Sequence, residues 1–213
     1  MRYPKDYKDV AREKLVAASG SHAKQHGFGR SGVSDLAAAA GVTTGSLYKH
    51  FEGKADLFAS LVTAELQGTA RAYAAIDPAD KAGTGKAMNA YLSLQHVQHP
   101  ESGCLLPTLT AEVARADPQV RDAFEQGVCG IHAHVEKMTG SSDSAWTLIA
   151  QNVGAVMIAR ALSNEKLQRE LLLALRRSAA QILNSNYRAN AQMQAESNPP
   201  LPTRNTQVKG KTI

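Results

Sequence analysis

The chain has 213 residues, enough for one or two domains with a buried core, and its 43% hydrophobic and 20% charged residues are ordinary for a soluble globular protein. Its two cysteines, Cys104 and Cys129, form no CxxC pattern, which argues against a disulfide framework or a structural zinc site. The longest uncharged stretch, Ser144 to Ala159, is too short to cross a bilayer, and the charged N-terminus lacks the apolar core of a secretory signal. We therefore expect a soluble cytoplasmic protein with no membrane contact.

The net charge of +5 is concentrated at the two ends of the chain. The segment from Met1 to Asp56 carries a net +3, and the segment from Asn186 to Ile213 also carries +3. The residues between them, Leu57 to Ser185, carry a net charge of −1. This distribution is typical of a phosphate-binding end joined to a nearly neutral body.

Helix is the state predicted for almost everything between Tyr7 and Leu183, because alanine is abundant and no strand-like alternation occurs. The first helix begins near Asp6 or Tyr7, and Asp117 and Pro118 open a later one, since they suit the N-cap and the first helical position. Breaks between helices are predicted at Gly27–Gly29, Gly41, Glu52–Gly53, Asp77–Pro78, Gly83–Gly85, Pro100–Gly103 and Gly140–Asp143.

Two late helices, at about 144–163 and 165–183, carry apolar side chains at helical spacing. The apolar positions are Trp146, Ile149, Val153, Val156 and Met157 in the first helix, and Leu167, Leu171, Leu175, Ala179 and Ile182 in the second. After Asn184 the composition shifts to Asn, Gln, Pro and Ser. The sequence therefore predicts an all-α fold with a three-helix domain over 1–52, a helical bundle over 53–185 and a disordered basic tail over 186–213.

The segment from Val33 to Lys54 is the most informative part of the chain. It predicts two short helices joined by a sharp turn at Gly41, because glycine adopts a positive φ without steric cost. Leu36 lies on the apolar face of the first helix, and Leu47 and Phe51, four residues apart, share the inner face of the second.

The remaining side chains of the second short helix are left on its outer surface or at its exposed end. Small and hydroxylated side chains at the start of that helix permit close contact with base edges, while lysine, tyrosine and histidine can bind phosphates. These outward residues are Thr44, Gly45, Ser46, Tyr48, Lys49 and His50. The pattern indicates a helix-turn-helix whose second helix enters the major groove of double-stranded DNA.

The segment GVTTGSLYKHFEGKADLF resembles the recognition element of the tetracycline-repressor (TetR) family of bacterial transcription regulators. In that family a Gly-Val turn precedes a helix with a Leu-Tyr-x-His-Phe core and a lysine shortly after, and the resemblance here runs from about Arg12 to Leu61. It implies DNA contacts by Ser34, Thr43, Gly45, Tyr48, Lys49, His50 and Lys54. The chain departs from the family where Gly20, His22 and Ala23 replace large apolar residues in the first helix, which predicts loose packing there.

The resemblance also implies a homodimeric repressor of a palindromic operator, with the two late helices forming the dimer interface. A small-molecule effector would bind in a pocket within about Leu57 to Gly140 and release the DNA. No residue there identifies the ligand; the candidates, which could equally be ordinary packing residues, are Tyr73, Met88, Tyr91, Cys104, Phe124 and Met138.

Cys104 allows a second interpretation of the regulation. It precedes the apolar residues Leu105 and Leu106, so a helix N-terminus beside it would lower its pKa and raise its reactivity. Some members of the resembled family sense oxidants or electrophiles through a cysteine in a comparable place. For Cys104 itself, the alternative is that it is simply a small buried hydrophobic residue. For the protein, the alternative is a DNA-binding regulator without a ligand pocket, which is either constitutive or senses redox change through Cys104.

Catalysis is not expected. The sequence contains no HExxH motif, Gly-rich phosphate loop or nucleophile elbow. His96 and His99 lie three residues apart near Glu101, but a metal site would need further ligands, so histidines that are exposed or hydrogen-bonded are the simpler interpretation. We therefore predict no catalytic residue, no metal and no cofactor.

Overall fold

The computed structural model describes residues 6–197, and the side chains of residues 8–185. The described residues are helical without strands, which confirms the predicted all-α fold. The helices are α1 (Asp6–His26), α2 (Val33–Ala39), α3 (Thr44–Leu47), α4 (Lys54–Ala74), α5 (Lys81–Tyr91), α6 (Leu94–Gln98), a 3-10 helix (Pro100–Ser102), α7 (Leu106–Val113), α8 (Pro118–Thr139), α9 (Ser142–Ala161) and α10 (Glu165–Ser197).

Helix α1 packs closely against α4 rather than loosely. Leu15, Ser19 and Ala23, which are spaced four residues apart and so lie on one face of the helix, are all buried. Gly20 lies where a Cβ atom would be 3.0 Å from the Glu65 carboxylate, so the missing side chain allows the two helices to approach. The prediction that Gly20 and Ala23 loosen this end is therefore wrong, because small residues here shorten the distance between helices.

The body is organised around the contact between α4 and α8. Leu57, Leu61 and Leu66 of α4 are fully buried. Gly127 of α8 lies directly against Leu66, where any larger side chain would collide with it. Helices α9 and α10 pack together and cover the other side of α8. Helix α4 thereby links the N-terminal helices to the centre of the bundle.

Most predicted breaks between helices are confirmed, and one is wrong. Pro118 begins α8, Gly140 ends it with a φ of +76°, and the Ser141 hydroxyl accepts a hydrogen bond from the Ser144 amide to cap α9. The predicted break at 83–85 lies inside α5 instead. The Asp80 side chain caps the N-terminus of α5 by accepting from the Ala82 amide at 2.9 Å, and this cap outweighs the low helix propensity of the two glycines.

The last helix is longer than expected. Helix α10 continues to Ser197, past the point where the predicted tail of residues 186–213 begins. Residues 186–197 are rich in alanine, glutamine and other good helix formers, which explains the extension. The rest of that predicted tail, residues 198–213, lies outside the described residues. Within the described part of the chain, no helix combines the length and apolar character that crossing a membrane requires.

Candidate nucleic-acid interface and adjoining cavity

The turn between α2 and α3 has the predicted geometry. Gly41 adopts a φ of +70°, and the Val42 amide donates to the Ala37 carbonyl oxygen at 3.0 Å. Leu36 and Leu47 are completely buried on either side of this turn. The angle between the two helices is therefore fixed by a glycine turn and an apolar contact, and the opposite face of α3 is left free.

The start of α3 is capped and open to solvent. The Thr43 hydroxyl accepts a hydrogen bond from the Ser46 amide at 3.2 Å, so Thr43, and not Thr44, is the N-cap. A Cβ atom placed on Gly45 would meet only the Thr43 hydroxyl, 3.9 Å away. The backbone at Gly45 can therefore approach another surface more closely than a larger residue would allow.

The predicted DNA-contact residues differ in exposure. Tyr48 is 55% exposed. The exposed members are Ser34, Thr43, Thr44, Gly45, Tyr48 and Lys49, and the half-buried members are Ser46, His50 and Lys54. Helix α3 ends at Leu47 and residues 48–50 form a turn, so the helix is shorter than the one predicted up to Phe51. The Phe51 amide still donates to the Leu47 carbonyl oxygen at 3.1 Å.

Lys54 is less free than the sequence suggested. It is the first residue of α4, as predicted, but its Nζ donates to the Gly29 carbonyl oxygen at 3.2 Å and lies 5.1 Å from the centre of the Phe28 ring. Its side chain thus braces the loop after α1, while its charge stays at the positive end of α4.

Two charged residues that no sequence motif indicates connect the N-terminal helices and their loops to neighbouring elements. The Arg12 guanidinium donates to the Ser60 hydroxyl at 2.7 Å and lies 4.7 Å from the centre of the Phe51 ring. The Glu112 carboxylate accepts from the Gly29 amide at 2.6 Å. Neither residue is part of a local motif, so only the folded structure identifies these contacts.

A buried ion pair joins α1 to α4. The Nζ atom of Lys24 lies 2.9 Å from the Glu65 carboxylate and 3.0 Å from the Gly103 carbonyl oxygen. Lys24 is 6% exposed and Glu65 is 21% exposed, so water screens this pair little. The pair ties the N-terminal helices to the segment that precedes α7.

A cavity of about 980 Å³ lies between α1 on one side and α4, α5 and α6 on the other, and it opens to solvent. Of the predicted ligand-binding candidates, Tyr73, Tyr91 and Cys104 line this cavity. Met88 lines only a smaller void beneath it, and Phe124 and Met138 line neither space. Met138 is 1% exposed and packs in the core. The volume is within the range of small-molecule sites in proteins.

The surroundings of Cys104 contradict the prediction of a lowered thiol pKa. Burial raises the pKa of Cys104 above its ordinary value, and this effect outweighs the Leu106 backbone and the Tyr91 and Thr69 side chains, which lower it. The Cys104 amide donates to Nε2 of His96 at 3.0 Å, and Nδ1 of His96 lies 2.7 Å from the Tyr91 carbonyl oxygen. Both nitrogens of His96 are thus occupied, and burial lowers the pKa of His96.

The surface formed by α9 and α10 exposes large apolar side chains. Trp146 is 44% exposed, Ile158 is 55% exposed and Leu173 is 49% exposed. Gly154 also faces open space, since a Cβ atom there would meet nothing within 4 Å. The two helices predicted to form a dimer interface therefore carry an apolar surface that the described part of the chain leaves uncovered.

Residues 15–61 match the family model described as bacterial regulatory proteins, tetR family. This match covers α2, α3 and the intervening turn, together with most of α1 and the first part of α4. The residues that supply the outward polar surface and the buried contacts beneath it all lie inside the matched range. No curated protein matches the chain significantly.

Solved structures of similar fold extend the comparison to the body. The crystal structure of E. coli NemR in its reduced form has a TM-score of 0.65 at 23% identity, covering 78% of this chain and 95% of that one. A TetR transcriptional regulator from Legionella pneumophila has a TM-score of 0.67 at 17% identity, covering 86% and 100%. FadR from Bacillus subtilis, in complex with stearoyl-CoA, has a TM-score of 0.58 at 18% identity, covering 80% and 96%. At these identities the likeness establishes the fold.

Proposed function

We propose that this chain, a DNA-binding transcriptional regulator with an N-terminal domain of the tetR family, is a homodimeric repressor that a small molecule releases from a palindromic operator. The observation that supports the proposal most directly is the exposed polar surface of α3 above the buried residues Leu36, Leu47 and Phe51. Such a regulator would act in the cytoplasm, where bacterial DNA is found.

The DNA contacts follow from the geometry of α3. The open backbone at Gly45 allows the helix to approach base edges, while Thr44 and Ser46 supply hydroxyl groups. Tyr48 and Lys49, exposed just after the helix, are placed to bind phosphates. The N-terminus of α4 at Lys54 adds its positive end to the same surface.

Dimerisation is required by the size of the recognition element. A single helix of four residues contacts few base pairs. Two such helices spaced about 34–36 Å apart would enter successive major grooves of one palindrome. The exposed apolar side chains of α9 and α10 provide a surface on which a symmetric interface can form.

The cavity lies where a ligand can influence the DNA-binding end. Helix α4 begins at Lys54 beside α3 and lines the cavity from Ala59 to Tyr73, so the cavity begins about 8 Å from the start of the helix at the usual helical rise. The opposite wall includes residues 12–24 of α1. A ligand that separates α1 from α4 would move α3 in both protomers and change the distance between the two recognition helices.

The alternative, a regulator that senses oxidants through Cys104 without a ligand pocket, has less support. A thiol with a raised pKa is mostly protonated at neutral pH and reacts slowly with electrophiles. The cavity of about 980 Å³ beside it favours control by a non-covalent ligand.

Replacing Lys49 by alanine tests the DNA-binding surface. In a homodimer this change removes two phosphate contacts, so the slope of log K against log salt should become shallower by about 1.8. Affinity should fall for specific and non-specific duplexes alike. Lys137→Ala is the matched control, since Lys137 is exposed at the far end of α8 and its removal should leave the slope unchanged. Equal slopes for parent and Lys49→Ala, measured by mobility shift over several salt concentrations, would remove Lys49 from the interface.

A further inference from the structure

Three buried side-chain atoms in the body lack an ordinary hydrogen-bond partner among the described residues: Nε2 of Gln151, Oδ1 of Asn152 and the hydroxyl of Tyr91. The Tyr91 hydroxyl has only the thiol of Cys104, a weak partner, beside it. Asn152 is only 3% exposed, and its amide nitrogen is used by the Met88 sulfur at 3.4 Å. Leaving such groups unpaired destabilises a folded protein, so this arrangement calls for a partner from outside the chain.

Asn152 and Tyr91, the residues that carry Oδ1 and the hydroxyl, line one small void between α4, α5, α8 and α9. Its volume is about 10 Å³, which is close to the space that one water molecule or one hydroxyl group occupies. Four residues, Thr69, Tyr73, Tyr91 and Cys104, line both this void and the large cavity above it. The void and the cavity therefore adjoin at these four residues.

The deep wall of the cavity carries no net charge among the described residues. Lys24 and Glu65 neutralise each other. Cys104 has a raised pKa and His96 a lowered pKa, so both are neutral near pH 7. The charged residues Arg12 and Glu13, one of each sign, line the other end of the cavity, toward the start of α1. An ionic group placed against the deep wall would lose hydration without gaining an unpaired counter-charge there.

We infer that the cavity binds an uncharged, largely apolar effector carrying one hydroxyl group, whose oxygen enters the small void between Tyr91 and Asn152. The ligand hydroxyl donates to Oδ1 of Asn152 and accepts from the Tyr91 hydroxyl, which satisfies both buried groups at once. The apolar body of the ligand fills the cavity above. This inference rests on the proposed function, because it takes the cavity as the effector site.

Three probes with the same naphthalene ring and different polar substituents test which substituent the site prefers. They are 2-naphthol, 2-methoxynaphthalene, which can accept but not donate, and 2-naphthoate, which is an anion. Calorimetric titration of the full-length, DNA-free protein should show 2-naphthol binding about tenfold more tightly than the ether, as expected for one buried hydrogen-bond donor. The carboxylate should bind more weakly than either.

Two variants test whether the preference for naphthol over the ether depends on Asn152 and Tyr91, and a third variant is the matched control. Asn152→Leu and Tyr91→Phe should each reduce the preference of the parent for naphthol over the ether to about twofold or less, because each removes one partner of the ligand hydroxyl. Gln119→Leu, which changes an exposed amide at the start of α8, should retain the full preference. Asn152→Leu should also unfold at an equal or higher temperature than the parent without ligand, since it removes an unpaired buried oxygen.

Several results would overturn the inference. They are equal binding of naphthol and the ether by the parent, tightest binding by the carboxylate, or a naphthol preference that survives in both variants. Failure of all three probes to bind at about 1 mM would also overturn it. A lower unfolding temperature for Asn152→Leu together with no probe preference would assign the void to structural water instead. Release of DNA is measured separately, so selective binding without release would contradict the proposed repressor and leave the hydroxyl site standing.

Discussion

The buried Lys24 side chain is expected to stabilise the contact between α1 and α4. Lys24→Met should lower the free energy of unfolding by about 1–3 kcal/mol, because it leaves the partly buried Glu65 carboxylate and the Gly103 carbonyl oxygen without their partner. Adding Glu65→Leu should recover most of that loss, since two apolar residues replace the pair. Denaturant unfolding of the single and double variants measures both effects.

The exposed pair Arg169–Glu165 on α10 is the control for this prediction. Its side chains are 61% and 55% exposed, so Arg169→Met should change stability by less than about 1 kcal/mol. If Lys24→Met were as mild as Arg169→Met, the ion pair would not hold α1 against α4.

The Cys104 thiol should react slowly with iodoacetamide at neutral pH. The thiolate is the nucleophile, so a raised pKa lowers the reactive fraction, and the rate should rise about tenfold per pH unit through pH 8. In a Cys129→Ser background, which removes the exposed cysteine, the pH of half-maximal rate should lie above that of free cysteine. A rate already at its plateau near pH 7 would revive the redox-sensing alternative.

At the residue scale, the sequence predicted positions that depend on local geometry and missed those that depend on distant contacts. Gly41 was predictable because a tight turn between helices needs a positive φ. The pKa of Cys104 was not predictable, because residues from α4 and α5 that bury it are far away in sequence. The burial of Lys24 was not predictable for the same reason, because its partners Glu65 and Gly103 are far away in sequence.

At the scale of the element, substitutions at two glycines of the α2–turn–α3 unit should have different effects. A substitution at Gly45 should affect DNA binding, and one at Gly41 should affect stability. Gly45→Ala should leave the protein equally stable or more stable by up to about 1 kcal/mol, since the site is helical and open. It should nevertheless weaken specific DNA binding, because the added methyl group lies on the surface that approaches the bases. Thermal unfolding and a mobility-shift titration of the same sample measure the two effects.

Gly41→Ala should behave in the opposite way. The backbone at Gly41 has a φ of +70°, so alanine there should cost about 1–2 kcal/mol of stability. Any loss of DNA affinity in this variant should result from unfolding of the turn and not from a lost contact with DNA. A Gly45→Ala variant that binds its DNA as tightly as the parent would show that α3 does not approach the bases at this point.

Helix boundaries were predictable where caps and breakers agree, as at Asp117–Pro118 and Gly140–Ser141. They were not predictable where local signals compete. The Asp80 cap stabilises α5 despite Gly83 and Gly85, and residues of high helix propensity extend α10 to Ser197. The packing of α4 on α8, which positions the cavity, depends on side chains distant in sequence, such as Leu66 and Gly127.

At the scale of the whole molecule, operator binding is expected to require two copies of α3 acting together. The exposed apolar side chains of α9 and α10 are the surface expected to join the copies. Ile158→Glu would place a charge in the middle of that interface and should yield a monomer by sedimentation. Val10→Glu, at a similarly exposed apolar residue of α1, is the control and should remain dimeric.

Selection of binding sites from a pool of random duplexes tests the central claim most directly. The parent should enrich an inverted repeat whose half-sites lie about 10 base pairs apart, or a multiple of that spacing, and bind it as a dimer. Ile158→Glu should fail to enrich the repeat. Enrichment of an asymmetric site by the parent, or of no sequence at all, would contradict the account of a homodimeric operator-binding regulator.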